Sequence, residues 1–233
     1  MRSIRYGAVF GAFATSLFVF AWLSSSAVAV LLAWVGLGFS QVAFAYFGGW
    51  PAVFGKRPDG TLAIWSVLIG WPVLLLGHAI VAAKRASGRE PANDEVAPDI
   101  FVGRLPIPRE LPPQVAAIID LTAEFNAHGE VRRHPGYRNF ALLDDTFPEP
   151  SELDRMVAEL VDVSEPILIH CAAGHGRSAT LAAALALARG HFSDVAEAEA
   201  GLQAARPGIR LRATQRERLT QWFAGFVERT KRS

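Results

Sequence analysis

The run His170-Cys171-Ala172-Ala173-Gly174-His175-Gly176-Arg177-Ser178 contains the one cysteine of this 233-residue chain, and five residues separate it from an arginine. A cysteine thiolate is a strong nucleophile, and a guanidinium is a planar fork matched to two phosphate oxygens. Ahead of the run lies an apolar stretch, Pro166-Ile167-Leu168-Ile169, which reads as a buried strand. Behind it, Ser178 to Ala188 is rich in alanine and leucine and reads as a helix. A strand, a loop with two glycines and a helix start make an anion cradle. Loop amides point inward, and the helix N-terminus adds partial positive charge. The pattern predicts a cysteine aimed at a phosphate held by the backbone of Ala172, Ala173, Gly174, His175 and Gly176.

Simpler readings compete with this one. A lone buried cysteine is usually an inert small hydrophobe, and Cys-x5-Arg alone recurs by chance. The full nine-residue pattern on a strand, loop and helix is far rarer, which favours the nucleophile. His170 reads either as a core histidine or as a ring that holds the cysteine loop in shape, with the second favoured. His175 sits among small residues at the rim, either touching substrate or solvated.

The motif His170-Cys171-x5-Arg177-Ser178 resembles the signature of the cysteine-dependent protein tyrosine phosphatase superfamily, and the short domain resembles its dual-specificity branch, over roughly residues 94–230. The resemblance implies a two-step reaction. The Cys171 thiolate forms a cysteinyl-phosphate while an upstream aspartic acid protonates the leaving oxygen. Water then hydrolyses the intermediate, with the same aspartate as base. It implies that loop amides and Arg177 stabilise the phosphoryl oxygens, that the Ser178 hydroxyl assists the second step, and that neither metal nor cofactor is needed.

The same resemblance places the acid on a loop before the cysteine. Leu142-Leu143-Asp144-Asp145-Thr146-Phe147-Pro148-Glu149-Pro150 fits that place. Asp144 matches the Leu-Asp-x-x-x-Pro arrangement of bacterial relatives and is the expected acid; Asp145 is the alternative. Both also suit a solvated turn. Ser151 and Asp154 predict a capping box for the next helix. Arg206-Pro207-Gly208 and Gln215 resemble the segment after the signature helix. Gln215 either faces the site and positions water or lies on the surface. Arg104 and Asp120 read as structural.

The elements that must carry these residues are strands near 99–105, 116–121, 137–143 and 166–170, and helices near 151–162, 178–189, 193–205 (Ser193 as cap) and 213–230. Alternating strands and helices predict an α/β domain with a mainly parallel sheet flanked by helices. The cysteine loop then falls at the carboxyl edge of its strand.

The front of the chain has a different solvent. Gly7 to Phe47 contains no charged side chain over 41 residues, and one crossing needs about 20 apolar residues. Residues 1–86 therefore read as a membrane region, with spans at about 6–23 and 27–47 broken at Ser24-Ser25-Ser26. A third apolar stretch, 62–83, contains Trp71-Pro72 and reads as a kinked interfacial or re-entrant segment, or as a third span. With two spans, Arg2, Arg5, Lys56, Arg57, Lys84, Arg85 and Arg89 share one side. The expectation is an integral protein of a bacterial inner membrane with its catalytic domain facing the cytoplasm. Residues 87–98, polar and rich in Gly, Pro, Asn, Asp and Glu, read as a linker to a catalytic domain over 99–233.

A formal net charge of +1 gives no polyanion signal, and no nucleic-acid module is visible. The arginines at 210, 212, 216 and 218 read first as a solvated face. A single cysteine excludes an intrachain disulfide. The expected function is a membrane-anchored protein tyrosine or dual-specificity phosphatase. The alternatives are a lipid phosphatase on phosphatidylglycerophosphate-like monoesters and an inactive phospho-binding scaffold. The expected partners are a phosphorylated protein or phospholipid substrate and the membrane.

Overall fold

The computed structural model describes residues 4–25 and 27–231. The features read at Arg2 and Ser26, and the extreme ends of the 1–86 and 99–233 segments, lie outside the described residues. The chain divides into two compact units. One comprises Glu90–Thr122 and the chain from Ala127 onward; the other runs up to Arg89 and takes in Ala123–Asn126.

The second unit is built on three helices, α1 (Ile4–Leu23), α2 (Ala27–Gly48) and α3 (Ile64–Ser87), each long and apolar enough to cross a membrane. Their outward faces expose Phe13, Phe20, Trp22, Leu31, Leu68 and Leu75, a surface that water disfavours. Gly7 is what lets α1 close on α2, because a Cβ there would lie 2.8 Å from the Phe47 ring. The third apolar stretch, read as a kinked interfacial or re-entrant segment or as a third span, folds as one helix. Pro72 lies inside the uninterrupted α3. Its missing N–H deprives the Leu68 carbonyl of a helix donor, and the Trp34 indole of α2 donates to that carbonyl at 2.7 Å. Trp34 also meets Trp71, and Gln41 Nε2 donates to Ser66 Oγ at 2.7 Å, so α2 and α3 run antiparallel.

The first unit carries a five-stranded sheet ordered β1-β2-β5-β3-β4, from β1 (Asn93–Ala97), β2 (Ile100–Gly103), β3 (Ala117–Thr122), β4 (Tyr137–Leu142) and β5 (Ile167–His170). Only the β1–β2 pair is antiparallel. Strand β1 corrects the linker reading of 87–98. Its polar Asn93-Asp94-Glu95 hid an edge strand whose ladder to β2 holds it in place. Side chains alternate across the sheet. Ile167, Ile169, Ile119 and Leu121 face a large core, while Leu168 and Ile118 face a small one with Val131 of the one-turn helix α4 (Gly129–Arg132).

The large core is closed by α5 (Pro150–Ala158), α6 (Arg177–Ala188), α7 (Val195–Ala205) and α8 (Ala213–Thr230). Helix α6 is buried from Arg177 to Leu187, and its alanines permit that close approach. Two caps differ from expectation. Pro150 supplies the first residue of α5, so Ser151 is already helical and Asp154 instead accepts from Trp222 Nε1 at 2.7 Å. Asp194, not Ser193, caps α7 by accepting from the Glu197 amide at 2.8 Å; Ser193 Oγ donates to the Glu197 carboxylate.

Candidate active site

Strand β5 lies between β2 and β3, parallel to both, and delivers Cys171 at its carboxyl end. Mainly parallel sheets bind ligands outside the carboxyl ends of their strands, which is where this cysteine lies. The loop from Cys171 to Gly176 then turns into α6. Its carbonyls are taken up from outside. Leu105 N donates to Ala172 O at 3.3 Å, Arg206 Nη2 to Ala173 O at 3.5 Å, Arg206 Nε to Gly174 O at 3.1 Å, and Thr180 N to Gly176 O at 2.9 Å. The peptides among the described residues are trans, so carbonyls turned outward leave the following amides turned inward.

Gly174 is irreplaceable in this loop. Its φ is +80°, and a Cβ would lie 2.6 Å from the Gly103 carbonyl carbon. Gly176 has no such demand on space; it stands at the N-cap of α6.

Cys171 is buried at the base of the loop, yet polar donors surround its sulfur. The Gly174 amide donates to Sγ at 3.2 Å, and Ser178 Oγ lies 3.4 Å away. Burial by itself pushes the thiol up. The Arg177 guanidinium, the Ser178 hydroxyl and amide, and the Gly174 amide outweigh it and hold the thiol below its ordinary range. An inert core cysteine would have none of these partners.

Arg177 is also buried, and its orientation is fixed by strand ends. Its Nη1 donates to Leu142 O at 2.9 Å and contacts Leu121 O at 3.4 Å, while Nε lies 3.3 Å from Asp144 Oδ1. The adjacent aspartates point to different partners. Asp144 is 67% exposed and reaches Arg177. Asp145 is 13% exposed and pairs with Arg212. His170 is buried in β5 with Nδ1 4.0 Å from Asp120 Oδ1, beside a carboxylate that also accepts from Thr122 and Tyr137. His175 turns to the rim, where its Nε2 meets Glu90 Oε2 at 2.8 Å. Gln215 is buried at the start of α8; its Oε1 accepts from Arg212 N at 3.0 Å, and its Nε2 lies near Gly176. The structure thus brings Cys171, Arg177, Ser178, Asp144 and the loop together, with Gln215 behind the loop and Asp145 turned aside.

Sequence reasoning missed the brace around the loop. Arg206 is buried and joins the loop carbonyls to Asp94 Oδ2 at 2.5 Å. Arg104 holds Glu110 at 2.8 Å and Glu90 O at 3.1 Å. Nor are all the late arginines solvated: Arg216 binds Glu199 through Nε and Nη2 at 2.6 and 2.9 Å.

A family model described as PTP-SAK, Swiss Army Knife protein, DSP-PTPase phosphatase domain, matches residues 109–221. This domain is a member of the cysteine-dependent protein tyrosine phosphatase superfamily. It is a phosphatase domain of the dual-specificity type. Two solved structures share its fold. A human tyrosine phosphatase-like serine/threonine/tyrosine-interacting protein is 19% identical with a TM-score of 0.51, covering 58% of this chain and 97% of its own. PTPMT1 in complex with PI(5)P is 20% identical with a TM-score of 0.50, covering 60% and 99%. No curated protein matches the chain in sequence. Among the described residues no cluster of His, Cys, Asp and Glu could hold a metal ion.

Proposed function

We propose that the chain is a membrane-anchored phosphomonoester hydrolase that works through a cysteinyl-phosphate, as a protein tyrosine or dual-specificity phosphatase. The observation that carries this is the Cys171 sulfur, set between the Gly174 amide and the Ser178 hydroxyl beneath an inward-facing loop. The thiolate attacks phosphorus as the P–O bond to the leaving group breaks. Asp144 gives its proton to the departing oxygen. Amides from Ala172 to Gly176 and the Arg177 guanidinium take the equatorial oxygens. Water then attacks phosphorus, forming a P–O bond as the S–P bond breaks; Asp144 accepts its proton, and the Ser178 hydroxyl stabilises the departing thiolate. His170 and Gln215 support the loop.

A second reading, phospholipid monoesters as substrates, draws on two observations. Three helices are long and apolar enough to cross a membrane, and such an anchor would hold the enzyme where headgroups are concentrated. One structure of the same fold is described with PI(5)P bound. The loop itself carries no lysine, which favours monoesters of low charge over polyphosphoinositides. In our reading residues 1–86 are the anchor, α1 and α2 cross the membrane, and α3 crosses or lies at its surface. Lys84 and Arg85 in the last turn of α3, with Arg89 just after it, favour a catalytic domain on the cytoplasmic side.

The test is a side-by-side assay of the detergent-solubilised chain on phosphotyrosyl peptides and on phosphatidylglycerophosphate vesicles. Turnover of the peptides with little on vesicles supports the first reading; the reverse supports the second. In either assay Cys171→Ser abolishes turnover while inorganic phosphate still binds. Retained turnover in Cys171→Ser removes the thiolate mechanism. A reporter fused to the C-terminus and found outside the cell overturns the orientation.

A further inference from the structure

The doubled aspartate has one member that the mechanism does not use. Asp145 stands in the left-handed region at φ +62°, which a non-glycine residue seldom adopts. It is the third residue of a tight turn. Thr146 N donates to Leu143 O at 3.3 Å and Thr146 Oγ1 to the same carbonyl at 2.7 Å. Asp144, the second residue of that turn, is thereby aimed at Arg177 Nε. A carboxylate in a disfavoured conformation persists where its surroundings fix it. Here the Asp145 carboxylate is largely covered and lies against the Arg212 guanidinium.

Arg212 is the N-cap of α8, and the same helix start lies close to the phosphate loop. The Arg212 amide donates to Gln215 Oε1, and Gln215 Nε2 lies near Gly176. One short segment therefore meets the acid turn through a side chain and approaches the phosphate loop at Gln215. A change at residue 212 would move the acid relative to the phosphorus and leave Cys171 where it is.

We propose that Asp145 and Arg212 form a clasp that holds the acid-bearing turn over the cysteine loop, making both positioning residues for Asp144. The proposal rests on the phosphatase reading above. Its signature is a selective loss. A displaced acid harms substrates whose leaving oxygen needs a proton and spares those whose leaving group departs as a stable anion.

The experiment uses the full chain in detergent and single-turnover cleavage of 2,4-dinitrophenyl phosphate and phenyl phosphate by Arg212→Ala, Arg212→Lys, Asp145→Asn and the Arg212→Ala/Asp145→Asn double variant. Expected is a loss of about tenfold or more on phenyl phosphate, against less than twofold on the dinitrophenyl ester, in each neutralised variant. Arg212→Lys should recover most of the loss. The double variant should be no worse than the worse single one, because two members of one contact do not add. The pH dependence of Cys171 alkylation by iodoacetate should match the parent, showing the nucleophile undisturbed.

An equal loss on both esters, or additive losses, would overturn the clasp and make Arg212 a substrate-binding or merely structural residue. No loss on either ester would overturn it too. If Arg212→Ala does not fold, Asp145→Asn and Arg212→Lys give the same comparison. Failure of the phosphatase reading looks different: the parent chain would then cleave neither ester, or Cys171→Ser would cleave both.

Discussion

Asp144 Oδ1 stands 3.3 Å from Arg177 Nε, while the next residue along the chain, Asp145, faces a different arginine altogether. Adjacent residues with the same side chain are thus turned to two different partners by one turn. The first prediction follows. Asp144→Ala should lower kcat/KM for phenyl phosphate by about 100-fold or more, the range typical of a lost general acid, and by much less for 2,4-dinitrophenyl phosphate. Steady-state kinetics on the two esters check it. A uniform loss on both would mean that Asp144 only orients Arg177.

Ser178 carries the second prediction. Its hydroxyl and amide are among the groups that overcome burial to hold the Cys171 thiol low. Removing the hydroxyl in Ser178→Ala takes away stabilisation of the thiolate, so the thiol titrates at higher pH. The rising limb of iodoacetate inactivation against pH should shift upward from the parent. A limb that stays in place would leave the hydroxyl with no part in stabilising the sulfur.

The third concerns shape. Gly174→Ala forces a Cβ to within 2.6 Å of the Gly103 carbonyl carbon at a φ of +80°. Strain and crowding together should cost about 2–4 kcal/mol. Thermal unfolding of the detergent-solubilised protein should show the loss, and vanadate affinity should fall with it. An unchanged Tm with normal vanadate binding would mean the loop relaxes without penalty.

Helices α7 and α8 supply the fourth. Glu199 lies below the usual carboxylate range because Arg216 donates two hydrogen bonds to it, against the opposing effect of burial. A lowered carboxyl pKa stabilises the fold fully above the unfolded glutamate value, and that stability fades as pH falls through the folded one. Glu199→Gln should lower the melting temperature near neutrality. The gap to the parent should close as melts are run at lower pH. A gap that is constant with pH would show that packing, not charge, joins the two helices.

The reach of the sequence follows from distance along the chain. Cys171, Arg177 and Ser178 are legible because one strand, one loop and one helix turn hold the whole nucleophilic centre within eight residues. The brace on that loop is not legible. Arg206 finds Asp94 only after β1 has paired at the sheet edge, and a stretch reading Asn-Asp-Glu gives no apolar alternation to announce a strand. The sequence favours Asp144 over Asp145 by motif alone; what turns the two side chains to different partners is the backbone sign at Asp145 and the place where α8 begins. The partner that Pro72 needs is just as distant. Its helix survives through an indole 38 positions earlier in the chain.

The Arg206–Asp94 contact also sets where the catalytic domain can be cut free. A soluble version started at residue 99 would discard Asp94, strip β2 of its edge partner and leave a buried guanidinium without its nearest anion. The backbone carbonyls of Glu90 and Pro91, which receive Arg104 and Arg206, would go as well. An autonomous enzyme therefore has to begin at Glu90 or earlier, and the polar stretch ahead of the sheet serves as part of the catalytic architecture more than as a tether.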